Sequence, residues 1–413
     1  MQTILSPEFQ NTSFGREAEA ILRQCVHCGF CNAACPTYQL LGDELDGPRG
    51  RIYLIKQVLE GVPPTRQTQL HLDRCLTCRG CETTCPSGVR YGRLLDIGRQ
   101  VVEQRVPRPV SEQRLRDWLR RGLASSLFGP ALRLGQSARG LLPTTLRQQV
   151  PARQPAGQWP RQTHARKVLL LAGCVQRAMA PNINTATARV LDAAGIQTVL
   201  ARGQGCCGAL KHHLADAKGG LAQMRANIDA WWPHIESGRA EAIIINASGC
   251  GAMVKEYGHL LRDEPRYADR AARVSELARD VAELLPDIAA ALSGRLRQHS
   301  GILAWHAPCT LQHALGLGGA VEAGLRALGL PLRPAAQDAH LCCGSAGTYS
   351  VLQANLSRRL RDHKLAHLQG ERTADRPAVI LSANIGCIAH LQAVAQAPVR
   401  HWIEMLDELM MQK

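Results

Sequence analysis

The sequence is poor in aromatic residues, which make up 4% of its 413 residues, so Leu, Ala, Val and Ile must build its cores. It also lacks long apolar runs. No stretch approaches the roughly 18–20 consecutive apolar residues of a membrane-spanning helix, and the longest candidates, such as Val168 to Gly173, are strand-sized. The first ten residues have no basic start and include Glu8, unlike a secretory signal. These absences predict a cytoplasmic protein, and the length of 413 residues predicts two or three domains.

Cysteine, by contrast, is abundant, with 16 residues. Disulfides are rare in a reducing compartment, which points to metal or redox chemistry instead. Every cysteine belongs to one of four sets of four. The sets are Cys25, Cys28, Cys31 and Cys35; Cys75, Cys78, Cys81 and Cys85; Cys174, Cys206, Cys207 and Cys250; and Cys309, Cys342, Cys343 and Cys387.

The first two sets share the spacing C-x2-C-x2-C-x3-C-P, which is typical of two-cluster ferredoxins. Three thiolates two residues apart wrap one [4Fe-4S] cluster, and the fourth ligates the other cluster. Zinc prefers two separated C-x2-C pairs with four ligands in all, which this pattern does not match. The prediction is therefore two [4Fe-4S] clusters with crossed ligands. The first would use Cys25, Cys28, Cys31 and Cys85, and the second Cys75, Cys78, Cys81 and Cys35.

The spacer between these motifs, Pro36 to Arg74, contains apolar residues at helical spacing around Ile52 to Leu59. This predicts a helical ferredoxin domain over residues 1–100. Arg49 and Arg51 lie in the same spacer, where their positive charges are expected to pair with the clusters, a solvated turn being the alternative.

A basic stretch follows and is predicted to form a helical linker over residues 101–166. From Arg105 to Lys167 it has 13 basic residues but only two acids, and it supplies much of the net charge of +15. Leu115, Trp118 and Leu119 fall on one helical face. Such a helix either packs on its own protein or lies on an anionic membrane surface. We expect a location in the cytoplasm, peripheral to the cytoplasmic face of the inner membrane.

The C-terminal half contains an internal repeat, predicted to form domains over 167–295 and 300–413. The gap between the first cysteine and the Cys-Cys-Gly sequence is 31 residues in one copy and 32 in the other, and the following gaps are 42 and 43 residues. The first and last cysteine of each copy follow short apolar strands, with helical patterns between. Alternating strands and helices predict parallel sheets, whose carboxyl edges would gather each set of four thiols.

The phrases CVHCGFCNAACPTYQLLGDELDGPRGRIYLIK and DRCLTCRGCETTCPSGVRYG resemble, with the rest of the chain, the iron–sulfur subunits of glycolate oxidase (glycolate dehydrogenase). The C-terminal copies are similar to the cysteine-rich (CCG) domains of heterodisulfide reductase. The fold class expected is α + α/β, a helical two-cluster ferredoxin domain followed by a duplicated α/β CCG pair. That family's pattern ends in C-x-x-C, whereas Ala247 and Asn384 replace the earlier cysteine here. A four-thiolate iron–sulfur or zinc site, or no metal, therefore remains open for the CCG cysteines.

The resemblance implies an oxidoreductase complex in which flavin-containing dehydrogenase subunits oxidise glycolate or D-lactate. This chain would carry electrons to a quinone acceptor. No G-x-G-x-x-G turn stands between a strand and a helix, so no catalytic or dinucleotide site is expected here. Alternatives are the equivalent subunit of a glycerol-3-phosphate or lactate dehydrogenase, or a heterodisulfide-type reductase. A nucleic-acid partner is not expected, because the clustered arginines lack stacking aromatics.

Overall fold

The computed structural model describes residues 1–125, 127–141, 143, 151–370 and 375–410. Within these ranges a helical N-terminal region precedes two four-stranded parallel sheets, which confirms the predicted fold class. Arg147 of the basic segment and residues 411–413 of the last predicted domain lie outside the described residues.

Short and medium helices build the N-terminal region. They are α1 (Pro7–Gln10), α2 (Ser13–Gln24), α3 (Phe30–Ala33), α4 (Pro36–Leu41), α5 (Pro48–Leu59), α6 (Arg66–Asp73), α7 (Gly80–Thr84), α8 (Tyr91–Arg105), α9 (Val110–Gly122) and α10 (Phe128–Ser137). Thr12 caps α2 by accepting from the Gly15 N–H at 3.0 Å, and the helix ends at Gln24, directly before Cys25 of the first cysteine motif.

The N-terminal core lies between α5 and α8. Ile55 of α5 and Leu94 and Leu95 of α8 are fully buried. Each such side chain contributes roughly 1.5–3 kcal/mol through its removal from water. Because α5 follows the first cysteine motif and α8 follows the second, this packing holds the two loops in one frame.

One basic residue of helix α9 is buried and forms an ion pair within the protein. Arg116 of α9 is buried, and with Arg108 it donates to the Asp73 carboxylate at 2.8 and 2.6 Å respectively. Leu119 packs inward, whereas the Trp118 side chain is 63% exposed. The helix is therefore anchored to the N-terminal region through one face and leaves an aromatic residue on the other. Within the described ranges, the helices are too short or too polar to cross a bilayer.

The two sheets carry the internal repeat. The strands are β1 (Arg166–Leu170), β2 (Ile196–Val199), β3 (Ala242–Ile245) and β4 (Ala278–Asp280) in the first copy, and β5 (Leu303–Trp305), β6 (Leu332–Pro334), β7 (Val379–Ser382) and β8 (Val399–His401) in the second. The intervening helices are α11 (Val175–Met179), α12 (Pro181–Ala193), α13 (Ala209–His213), α14 (Ala217–Glu236), α15 (Ser248–Lys255), α16 (Tyr257–Leu260), α17 (Ala268–Leu277), α18 (Leu285–Leu292), α19 (Ala320–Ala327), α20 (Tyr349–Leu352), α21 (Ala354–Gln369), α22 (Ile385–Gln392) and α23 (Trp402–Leu409).

The strand order is β2-β1-β3-β4 in one sheet and β6-β5-β7-β8 in the other, with all described pairs parallel. In each sheet the second strand of the copy lies on one side of the first strand, and the third and fourth strands lie on the other side. The strand order therefore reverses between the first and third strands. Open α/β sheets bind ligands at the carboxyl ends of such strands.

The carboxyl edges of the two sheets meet. The Ser248 N–H, just beyond β3, donates to the Ala383 carbonyl just beyond β7, at 3.2 Å. The Ser248 hydroxyl also hydrogen-bonds with the Thr310 hydroxyl at 2.7 Å. This contact brings the two sets of C-terminal cysteines towards one interior space.

Candidate iron–sulfur and thiol sites

The first N-terminal cavity joins cysteines from both motifs. Cys25, Cys28 and Cys31 of the first motif line it together with Cys85, the last cysteine of the second motif. Cys81 also lines this cavity. Three residues of one loop and the last of the other therefore surround the first site, the arrangement that crossed ligation requires.

The second N-terminal cavity is built in the complementary way. Cys75, Cys78 and Cys81 line it with Cys35, the last cysteine of the first motif. Cys81 thus borders both cavities, and it is buried between them.

Both loops use the same backbone turn. His27 and Gly29 have φ of 61° and 86°, and the equivalent Thr77 and Arg79 have φ of 52° and 60°. A non-glycine residue in this left-handed region costs on the order of 1–3 kcal/mol, which the surrounding structure must supply. The repetition of this strain at matching positions shows that both motifs fold as one type of wrapped loop.

One arginine faces each cavity. Arg49 lines the first cavity and donates to Glu44 at 2.6 Å. Arg51 lines the second, is 1% exposed, and places Nη1 4.0 Å from the Cys35 sulfur. The Arg51 guanidinium also donates to Asp46 at 3.4 Å. The two arginines of the spacer therefore lie against the thiol sets rather than in a solvated turn.

The crowded thiols fit a metal cluster better than free cysteines. Burial, with a smaller effect of the Cys25 thiol, raises the pKa of Cys31 to about 11. Burial also raises the pKa values of Cys78 and Cys81 well above their ordinary range, and nearby cysteines add to it. A bound cationic metal reverses this effect because it stabilises thiolates and releases their protons. The donor set therefore matches the proposed iron–sulfur chemistry.

The first C-terminal set converges after β1, β2 and β3. The Cys174 and Cys206 sulfurs are 3.4 Å apart. Hydrogen bonds from Cys174 and Cys207 lower the pKa of Cys206, and the bond to Cys206 raises the pKa of Cys174. Cys207 also interacts with the Cys250 thiol, which raises the pKa of Cys207. All four thiols thus form one connected group.

The Cys-Cys-Gly turn is held by the fold around it. Gly208 has φ of 92°, and a Cβ there would lie 2.9 Å from the Gly220 carbonyl oxygen. The Tyr257 hydroxyl donates to the Cys207 carbonyl at 2.9 Å. In the second copy Gly344 has φ of 87°, and its added Cβ would lie 2.5 Å from the Ser357 carbonyl oxygen. Glycine is therefore required after both cysteine pairs, since any side chain would be strained and would clash with backbone.

All four cysteines of the second C-terminal set are buried. Interaction with Cys342 raises the pKa of Cys309, and Cys343 in turn interacts with both Cys342 and Cys387. Asn384, which stands where the related pattern has a cysteine, donates from Nδ2 to the Cys387 sulfur at 3.7 Å. An amide donor to the Cys387 sulfur thus stands where the related pattern has a further cysteine.

A single large cavity of about 1190 Å³ connects the C-terminal sets with the second N-terminal loop. Its cysteines are Cys75, Cys174, Cys206, Cys207, Cys250, Cys309, Cys342 and Cys387. Cys78 interacts electrostatically with Cys309, and Leu76 packs in one apolar cluster with Cys309 and Cys342. The second loop therefore abuts the second copy.

Sequence reasoning missed His306 in this region. A ring nitrogen of His306 and the sulfurs of Cys343 and Cys387 all lie within 4.8 Å of one another, and all three residues are buried. His306 stands three residues before Cys309, whereas Leu171 stands three residues before Cys174. This departure from the repeat is the signal that would have singled it out.

Comparison with protein families agrees with the geometry. The model of a 4Fe-4S dicluster domain matches residues 21–89. The model of a cysteine-rich domain matches twice, over residues 168–255 and 303–392. The N-terminal match contains the eight cysteines of the two small cavities, and the C-terminal matches contain the other eight.

Individual relatives extend the match to the whole chain. A glycolate oxidase iron-sulfur subunit of Escherichia coli is 53% identical over 99% of this chain and 99% of its own length. A probable glycolate oxidase iron-sulfur subunit of Bacillus subtilis is 30% identical over 93% and 91% respectively. Lactate utilization protein A of Bacillus licheniformis is 29% identical over 54% of this chain and 90% of its own. This chain belongs to the family of glycolate oxidase iron–sulfur subunits.

Proposed function

We propose that this chain is the electron-transfer subunit of a complex whose flavin subunits oxidise glycolate, or D-lactate, and that it delivers the electrons to a quinone. The observation that carries the proposal is the arrangement of the eight N-terminal cysteines around two adjacent cavities. Iron–sulfur clusters supply one-electron transfer, which links a two-electron flavin to a separate acceptor. The name of the E. coli relative supports glycolate as the substrate of the complex.

The ligand sets follow from the two cavities. Cys25, Cys28, Cys31 and Cys85 would hold the first [4Fe-4S] cluster. Cys75, Cys78, Cys81 and Cys35 would hold the second. Each cavity has its own arginine, Arg49 or Arg51, whose positive charge offsets the negative charge of a cluster with four thiolates.

Serine substitutions test the crossed assignment. We expect about eight irons per wild-type chain, and we expect Cys85→Ser to remove the same electron paramagnetic resonance (EPR) signal as Cys25→Ser. Cys35→Ser should instead match Cys75→Ser. If Cys85→Ser matches Cys75→Ser, each motif holds its own cluster and the crossed assignment is wrong.

The second loop is the expected exit from the N-terminal region. Its Cys78 lies close to Cys309, and Cys75 of the same loop lines the cavity that the C-terminal thiols share. We expect a Cys206→Ser, Cys342→Ser double variant to lose electron delivery to quinone while its N-terminal cluster signals remain. Full quinone reduction in that variant would leave the C-terminal half as a docking scaffold.

The proposed domains are residues 1–100, 101–166, 167–295 and 300–413. Residues 151–164 have no helix or strand, which supports a linker before the first sheet. Helix α8 continues to Arg105, so the N-terminal region and the basic linker share a helix. A fragment that ends after α8 should keep both clusters if the first unit folds independently.

Peripheral attachment to an anionic membrane, at the cytoplasmic face of the inner membrane, is the second part of the proposal. The Trp118, Leu127 and Leu134 side chains are 63%, 72% and 73% exposed. Arg114 and Arg121 are exposed in the same segment. Exposed apolar residues beside basic ones are the features that an interfacial helix needs.

Flotation with anionic vesicles tests this attachment. Arg116 is buried and pairs with Asp73. Arg120 pairs with Asp117 on the same helix and donates to the Leu214 carbonyl, so loss of either arginine would disturb packing as well as binding. We expect an Arg114→Gln, Arg121→Gln variant to float less with anionic vesicles than wild type does. We also expect the flotation of wild type to fall as the salt concentration rises, because salt screens the attraction. Equal flotation of this variant and wild type, or salt-independent binding, would contradict an electrostatic attachment.

A lactate-oxidising complex is the second candidate for the substrate. The similarity to lactate utilization protein A over 54% of this chain favours it. Co-purification of the untagged partner subunits, followed by an acceptor assay with glycolate and D-lactate, distinguishes the two. In either case we expect the substrate to bind to the flavin subunits and not to this chain.

A further inference from the structure

The second C-terminal copy has a buried histidine that the first copy lacks. His306 directly follows β5, and its N–H donates to the Leu381 carbonyl at 2.9 Å, which extends the β5–β7 pairing by one bond. The residue is 2% exposed. Leu171 occupies the matching position of the first copy. Packing alone would therefore accept an apolar residue here, as the first copy shows.

One ring nitrogen of His306 has a hydrogen-bond partner, and the other has none among the described residues. Nδ1 lies 3.0 Å from the Ser382 hydroxyl oxygen. Nε2 is buried and has no hydrogen-bond partner among the described residues. An unsatisfied buried polar atom of this kind costs roughly 1–3 kcal/mol, so a fold that retains it needs some partner to offset the cost.

Side chains of metal-binding types lie around His306, so a metal ion is the partner that fits this position. A ring nitrogen of His306 and the sulfurs of Cys343 and Cys387 lie within 4.8 Å of one another. In a tetrahedral zinc site, with bonds of about 2.0–2.3 Å, neighbouring ligand atoms are separated by roughly 3.5 Å. Small side-chain movements would bring the three donors to that separation.

The hydrogen bond to Ser382 has the form expected of a metal ligand. A histidine that binds a metal through one nitrogen almost always donates a hydrogen bond from the other, which fixes its tautomer and orientation. Donation from Nδ1 to the Ser382 hydroxyl leaves the Nε2 lone pair free. Cys342 interacts with Cys343, but the group of mutually close ligand atoms consists of His306, Cys343 and Cys387, so a fourth ligand would be Cys342 after a side-chain movement or a water molecule.

We propose that the second cysteine-rich copy binds a single divalent metal ion of the zinc or ferrous class, with His306 as a ligand beside Cys343 and Cys387. The inference deepens the proposed role of the C-terminal cysteines. It does not depend on the two N-terminal clusters, whose iron is measured separately. The imidazole would take the place of the sulfur ligand that is missing because Asn384 stands where the related pattern has a cysteine.

The ligand shell of the bound metal is the first test. Zinc is added to the full-length chain after its N-terminal clusters are assembled, and X-ray absorption at the zinc edge counts sulfur and nitrogen neighbours. We expect a mixed sulfur–nitrogen shell with the outer scattering of an imidazole. An all-sulfur shell, or no bound zinc, would overturn the proposal.

Variants then assign the nitrogen to His306. We expect His306→Gln to weaken Co²⁺ binding by about tenfold or more, since loss of even an outer-shell partner costs about 10–100-fold. His306→Cys should restore binding and strengthen the sulfur-to-cobalt charge-transfer band, which a purely structural role would not do. His390→Gln is the matched control, because His390 lies one turn beyond Cys387 on α22 and bonds to the Ser357 hydroxyl at 3.1 Å.

The outcomes separate this proposal from the proposed function. Loss of cobalt binding in His306→Gln with both cluster signals retained supports the histidine ligand. Unchanged cobalt binding, or equal loss in His390→Gln, refutes it even if the clusters are present. If His306→Gln does not fold, Ser382→Ala serves instead, and an unchanged cobalt affinity in that variant counts against the proposal.

Discussion

Arg51 offers a quantitative test of how the protein would tune the proposed second cluster. Its guanidinium is buried beside Cys35 and is expected to stabilise the additional electron of the reduced cluster. Replacing Arg51 with Gln removes this charge. Asp46 keeps a partner in the variant, because Arg74 also donates to it at 2.7 Å. The fold should therefore survive the substitution.

The magnitude follows from the geometry. Two unit charges at the 4.0 Å that separates Nη1 from the Cys35 sulfur interact by about 4 kcal/mol at an effective dielectric constant of about 20. The electron is spread over the cluster, and Asp46 neutralises part of the guanidinium charge. If these effects halve the interaction, about 2 kcal/mol remains, which corresponds to roughly 85 mV for one electron. We expect the reduction potential to become more negative by that amount.

The assay is a redox titration of both clusters followed by EPR. Arg51→Lys retains the charge and should give a much smaller shift than Arg51→Gln. Arg49→Gln is the matched variant for the first cluster, and its effect should be smaller because the Arg49 side chain is 33% exposed and pairs with Glu44. A positive shift in Arg51→Gln, or equal shifts of both clusters, would refute the reasoning.

Two further predictions concern stability. Burial tends to raise the pKa of Asp73, but its two arginine partners outweigh this and lower it. Its stabilisation is therefore present above the ordinary pKa of an aspartate and is lost as the pH falls through the lowered native value. We expect Asp73→Asn to cost about 3 kcal/mol in urea unfolding at neutral pH, with the difference from wild type shrinking in acid; an equal difference at both pH values contradicts this. In α8, a Cβ on Gly98 would lie 2.6 Å from Ile55 Cγ1, so Gly98→Ala should destabilise by about 1–3 kcal/mol. Gly135→Ala, at a position with open space, is the control for thermal unfolding, and equal midpoints for the two variants would show that the α5–α8 contact relaxes freely.

The cysteine pattern alone predicted most of the architecture, because metal-ligand spacing and strand-to-helix periodicity are local properties of a sequence. The two motifs at Cys25 and Cys75 predicted a pair of wrapped loops, and the structure brings Cys85 and Cys35 to the opposite cavities. The matched gaps of the repeat predicted two parallel sheets, which the strand order confirms.

Other features depended on contacts between residues far apart in the chain. The sequence left open whether the basic stretch is solvated, packed or membrane-bound, and only the fold shows that Arg116 pairs with Asp73, 43 positions away. The approach of the second loop to Cys309 depends on how the helical region docks on the sheets. In the sequence, His306 is one of several residues at strand ends. Only the fold brings it within hydrogen-bond distance of Ser382, 76 positions later. Local spacing determined which residues are chemically equipped, whereas tertiary packing decided which of them meet, because burial and partner geometry exist only once distant segments are brought together.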